Sequence, residues 1–341
     1  MPLDLLQSIW FILVFLLFAG YAILDGFDLG VGILHLFTTD EHQRRISINS
    51  IGPVWDGNEV WLVAAGGALF AAFPPVYATV FSAFYIPLML LLASLITRAV
   101  AIEFRSKIAS PPWKRTWDFA FFLGSLLATL LLGVAFGNIL LGIPIDPDGN
   151  YTGSFLPLLN PYALLVGLLT LVTFTMHGGI YLAAKSDAPL RDRLHRILPK
   201  LYLAFLILYL AASAAYMYSS IFLFMSLFTS PLFYLLMAIF ICSAASLHFL
   251  LRAARFRLAF LASSLAIASM LALAAHSLYP YLVPSLTNLN YSLSASNSSS
   301  SHRTLSVMLT IALIGLPLVI IYSFLVHRVF KGKVLLSEES Y

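Results

Sequence analysis

The chain has 341 residues, 60% of them hydrophobic and 10% charged, with a mean hydropathy of +0.92, which excludes a water-soluble fold of this length and leaves a polytopic membrane protein. The net charge of +4 is spread over alternate loops, as membrane topology requires, so no nucleic-acid partner is assigned. The single cysteine, Cys242, excludes an intrachain disulfide and a cysteine-based metal centre.

Crossing the hydrocarbon core takes about 20 apolar residues in helical form. Nine spans are predicted in chain order, at 7–36, 54–73, 77–104, 116–141, 160–185, 198–223, 231–252, 257–281 and 304–330. The expected fold class is all-α, with 1–341 forming one transmembrane helical domain. The first span is preceded by Asp4 and no basic segment, so it is read as a permanent helix rather than a cleaved signal. The first and third spans exceed what a crossing needs, so a tilt or a protruding end is expected.

Basic residues fix the predicted orientation. Arg44, Arg45, Arg105, Lys107, Lys114, Arg115, Lys185, Arg191, Arg193, Arg196, Lys200, Arg252, Arg255, Arg257, Arg328, Lys331 and Lys333 all fall at one set of span ends, whereas the alternate loops carry only Arg303. The positive-inside rule places the N-terminus outside and the C-terminus in the cytoplasm. Of the two long outer loops, 143–160 carries a turn signature at Asp146, Pro147, Asp148, Gly149 and Asn150. The other, 284–303, with its serine run at 298–301, is expected to be polar and mobile.

Two acidic pairs stand out against this apolar background. Asp25 and Asp28 share a face of the first span, roughly 12 to 17 Å from its inner end at 1.5 Å per residue. Asp56 and Glu59, again three apart, open the second span at the same membrane face. Carboxyl groups inside a membrane are costly, and their default meaning is function, here a relay that lets protons cross apolar protein. Arg98 in the third span is the natural counter-charge, although it lies near enough to the inner end to snorkel. A helix-capping role is the structural alternative for Asp56, and Glu103 and Asp118 read as solvated. Haem needs axial His, Met or Cys, and the intramembrane candidates His177, His248 and His276 stand on separate helices, so this chain is expected to bind neither haem nor metal.

The motifs at 25–32 (DGFDLGVG), 52–63 (GPVWDGNEVWLV), 66–74 (GGALFAAFP), 105–107 (RSK) and 133–138 (GVAFGN) resemble subunit II of the cytochrome bd quinol oxidases, strongly to about residue 185 and diffusely beyond. The resemblance implies a heterodimer with a pseudo-symmetric subunit I that holds two haems b, one haem d and the quinol loop. A small single-helix subunit is a further candidate partner. It also implies oxidation of quinol near the outer face and reduction of dioxygen to water with cytoplasmic protons, in a bacterial or archaeal cytoplasmic membrane. Within the family's pattern Asp28 and Asp56, with Asp25, belong to the proton path, and Trp61 lines an apolar dioxygen route. Glu59 departs from the Gln that relatives carry there. A proton-coupled secondary transporter would also bury carboxyls, but should show inverted repeats with helices broken at the midplane.

Overall fold

The computed structural model describes residues 1–38, 40–220 and 227–336. Its helices are α1 (Leu3–His35), α2 (Glu41–Ile51), α3 (Trp55–Ala72), α4 (Pro74–Ala83), α5 (Tyr85–Phe104), α6 (Pro111–Leu141), α7 (Pro161–Lys185), α8 (Ala188–Ser219), α9 (Pro231–Arg252), α10 (Phe256–Leu278) and α11 (His302–Val329). Eight of them, α1 and α5 to α11, are long and apolar enough to cross a membrane. The remaining expected span, 54–73, is α3, whose 18 residues begin with the polar set Asp56, Asn58 and Glu59 and so fall below the others in apolar character. The expected span 198–223 starts ten residues earlier than predicted, at Ala188, and its last residues lie outside the described ones.

Three features depart from expectation for local reasons. The span predicted at 77–104 is divided at Phe84 into α4 and α5. Pro87 lacks an amide hydrogen and its ring crowds the carbonyl four residues earlier, so the regular helix stops one turn before it. The segment after the first span holds an unpredicted helix, α2, started by Asp40, whose Oδ1 accepts from the Gln43 amide at 2.8 Å while the Gln43 side chain reaches back to Oδ2 at 2.7 Å.

The outer loop 284–303, expected to be mobile, is ordered. Strand β1 (Tyr281–Val283) pairs antiparallel with β2 (Leu293–Ser294). Asn297 accepts from the Ser294 amide at 2.8 Å and donates to the Ser292 carbonyl at 2.9 Å, and Ser300 donates its amide to the Ala72 carbonyl at 2.8 Å. Short hydroxyl and amide side chains thus satisfy the loop backbone that composition alone would leave to water. The companion loop forms the expected turn, with Asp146 Oδ1 accepting the Asn150 amide at 2.7 Å and Gly149 in the left-handed region at φ +86°. Those backbone donations hold the exposed Asp146 carboxyl below its usual range.

Helix α1 is the axis of the bundle, packed by α3, α6, α7, α10 and α11. Its inner half, from Asp25 to His35, is entirely buried. The approach to α7 is closest where Gly30 and Gly178 face each other, since a Cβ on Gly178 would sit 2.6 Å from the Phe27 carbonyl oxygen. Phe27, Val31, Ile180 and Leu198 close the core below that contact.

Candidate functional site

The bundle gathers five polar side chains from three helices at one level. Helix α1 supplies Asp25 and Asp28, fully buried one turn apart; α3 supplies Asn58 and Glu59; α5 supplies Arg98, also fully buried. Arg98 Nη2 donates to Asp25 Oδ1 at 2.7 Å and also to Glu59, which remains partly exposed. Arg98 is therefore an interior ion-pair partner and does not snorkel. Asn58 Nδ2 donates to Asp28 Oδ2 at 2.7 Å. The other oxygens, Asp28 Oδ1 and Asp25 Oδ2, have no hydrogen-bond partner among the described residues, nor have Arg98 Nε and Nη1.

One guanidinium thus faces three carboxyl groups. Burial of so many acids beside one cation is costly unless a proton balances the excess. Asn58 also lines a cleft between the start of α3 and the end of α11, together with Gly57, Tyr322, Ser323 and His327. The group that holds Asp28 therefore borders the surface at the end of the bundle that carries the basic loops.

Asp56 and Trp61 are placed differently. Asp56 is exposed on the outer side of α3, beside the exposed Val60 and Val63, and joins no hydrogen bond of the cluster; the N-cap of α3 is Val54, so Asp56 is not the cap either. Trp61 points inward, packed with Leu17, Tyr21 and Ala65 and lying against Gly20.

A second charged cluster went unrecognised in the sequence. Asp118, read as solvated, is buried at the inner end of α6. Its Oδ1 meets His35 Nε2 at 2.6 Å and Arg105 Nε at 2.5 Å, and its Oδ2 accepts from Arg44 at 2.7 Å. Glu41 in turn accepts from Arg105 at 2.8 Å and Lys114 at 2.7 Å. Partial burial raises the Glu41 carboxyl, but these two cations outweigh it and hold the group below its ordinary value. The cluster ties α1, α2, α5 and α6 together at the basic end. Its sequence signal was the capping pattern at Asp40 and Gln43, which makes a helix of the segment that carries Glu41 and Arg44.

The intramembrane histidines His177, His248 and His276 stand on α7, α9 and α10. Both His177 nitrogens are engaged, Nδ1 with Ser263 Oγ at 2.7 Å and Nε2 with the Ile23 carbonyl at 3.0 Å, and the ring stacks on Phe260. His248 lies among Tyr202 and Phe249 on α9, and His276 stands alone on α10. Among the described residues no group of three His, Cys, Asp or Glu is placed to hold a metal ion.

Residues 6–330 match the family model for cytochrome bd terminal oxidase subunit II. Cytochrome bd-I ubiquinol oxidase subunit 2 of Escherichia coli K12 is 35% identical over 94% of this chain and 93% of its own length. Cytochrome bd ubiquinol oxidase subunit 2 of Bacillus subtilis 168 is 36% identical over 95% of this chain and 96% of its own. The structure of bd oxidase from Geobacillus thermodenitrificans contains a chain that shares the fold at a TM-score of 0.78, with 20% identity, over 95% of this chain and 98% of that one. A multi-pass bundle and matches that run nearly end to end lead to one assignment: this chain belongs to the cytochrome bd terminal oxidase subunit II family.

Proposed function

We propose that the chain works in a cytoplasmic-membrane quinol oxidase as the haem-free partner of subunit I, and that its buried carboxyl cluster passes cytoplasmic protons toward the site where dioxygen becomes water. The observation that carries this reading is Asp28, buried, with one oxygen free and the other held by Asn58, which borders a cleft at the basic end. With that end in the cytoplasm, as the loop charges require, a proton reaching the cleft has a short path to a group able to accept it. Arg98 keeps Asp25 and Glu59 in place beside Asp28 and balances one of their charges.

Asp56 completes the reading from the other side of α3. A carboxyl exposed on an apolar helix face is poorly suited to lipid. Asp56, Val60, Val63 and Gly67 lie on one exposed face, and Gly67 has open space around it, which suits close approach of another subunit's helix. On this reading Asp56 receives the proton at the contact with subunit I, while Trp61 lies inward on an apolar path suited to dioxygen. On this reading the haems b and d belong to subunit I, since binding iron would cost His177 its hydrogen bond to Ser263 or to the Ile23 carbonyl. When bound there, the haems supply electron transfer and oxygen reduction; this chain supplies the proton route. A small single-helix subunit fits the same assembly.

The test is haem content measured together with quinol-driven oxygen consumption in the assembled complex. Asp28→Asn and Asp56→Asn keep shape and hydrogen bonding but cannot carry a proton, so turnover is expected to fall by about tenfold or more with haem retained, the scale of lost proton-transfer catalysis. Full turnover in both variants would sink the relay, and loss of haem would assign the two residues to assembly.

A further inference from the structure

Away from the acid cluster, at the basic end of the bundle, lies a cavity of about 490 Å³ between the ends of α7 and α8, the turn from α9 to α10, and the segment after α11. That volume falls within the roughly 300–1,000 Å³ of small-ligand sites. Arg191, Arg255, Arg257 and Lys333 line it, with His195 and a single acid, Asp192, whose carboxylate is exposed and 3.8 Å from Arg191. Arg255, Arg257 and Lys333 have no ion-pair partner among the described residues. Helix α10 begins in the same wall. Its N-cap, Arg255, makes no side-chain cap, so the amides of Phe256, Arg257 and Leu258 have no partner within the helix. The positive end of the helix dipole therefore adds to three cations that have no ion-pair partner among the described residues.

Like charges gathered in one concavity repel one another, and an anion relieves the repulsion. The apolar surroundings identify the kind of anion. Leu258, 48% exposed, lies in the cavity wall, and Leu261 and Leu265 continue the same exposed face of α10 away from it at 63% and 50%. An acyl chain laid along that stripe would set its phosphate among the arginines, at the level where the spans leave the membrane.

We propose that this cavity is a binding site for the phosphate headgroup of an anionic phospholipid of the cytoplasmic leaflet, with a tail along Leu258, Leu261 and Leu265. The ligand chemistry is a phosphate ester, and the apolar stripe selects the lipid over a soluble phosphate.

The purified, delipidated oxidase complex, titrated separately with phosphatidylglycerol, phosphatidylcholine and inorganic phosphate, tests the assignment when bound lipid is counted by native mass spectrometry. One phosphatidylglycerol is expected to bind, about thirtyfold more weakly in the variant carrying Arg255→Gln and Arg257→Gln, because each surface cation contributes about fivefold. A control carrying Arg193→Gln and Arg196→Gln, at the same membrane face but outside the cavity wall, is expected to bind as the wild type does. Lys333→Gln alone, in the exposed segment after α11, is expected to weaken binding severalfold and serves if the double variant fails to assemble. Equal binding by wild type and cavity variants, equal loss in the control, equal retention of phosphatidylcholine, or competition by millimolar phosphate would each overturn the proposal.

Discussion

Asp118 accepts hydrogen bonds from His35, Arg44 and Arg105, so the consequence of removing its charge can be argued from its partners. Asp118→Asn leaves two guanidiniums facing a neutral amide at a buried site, with Glu41 able to satisfy only Arg105. Breaking such a buried pair costs about 3 kcal/mol, and a thermal melt of the detergent-solubilised complex should fall by several degrees, whereas Glu41→Gln, at the exposed rim, should shift it little. The carboxylates also divide by how far their surroundings could be read. Asp25 and Asp28 were legible because their neighbours in sequence are apolar and no loop could solvate them. Asp118 was not, because it lies a few residues from Lys114 and Arg115 and resembles any charged span end. Its burial depends on Arg44 and His35, which are remote in sequence.

Among the elements, the contact of α1 with α7 is the most exacting. At Gly178 an added Cβ would meet the amide nitrogen of Val31 and the carbonyl of Phe27, neither of which can turn aside. Gly178→Ala therefore forces the two helices apart, an overpacking cost of about 1–3 kcal/mol, and is expected to lower the yield of assembled complex, while Gly315→Ala on α11, with open space where its Cβ would stand, should leave that yield unchanged. The difference between the two in solubilised yield is the measurement. Hydropathy identified the long spans well, since a run of about 20 apolar residues has no other stable use in a membrane. It could not find α2, whose Ile46, Ile48 and Ile51 are buried by packing on the bundle rather than by lipid. Nor could it find the division at Phe84, which the backbone chemistry of Pro87 imposes inside an unbroken apolar run.

For the molecule as a whole, orientation is the property on which the proton reading depends. A cysteine placed at Asp148 should react with a membrane-impermeant maleimide added outside the cell, and one placed at Arg193 should react only after permeabilisation; the reverse pattern would turn the proposed proton entry to the wrong side. The same whole-molecule view shows how the two ends of the chain depend on each other. Helix α11 touches the bundle mainly through α1 and α3, and its apolar flank is almost wholly open. At the outer face the Trp10 indole donates to the Leu305 carbonyl at 3.0 Å, and Gln7 donates to Ser299 at 2.8 Å. During membrane insertion, then, α1 enters well before the segment that satisfies its indole, and the Trp10 N–H must wait for α11. A product lacking α11 would display that unfinished seam to the membrane's proteases, so the arrival of α11 acts as a late check on the packed bundle.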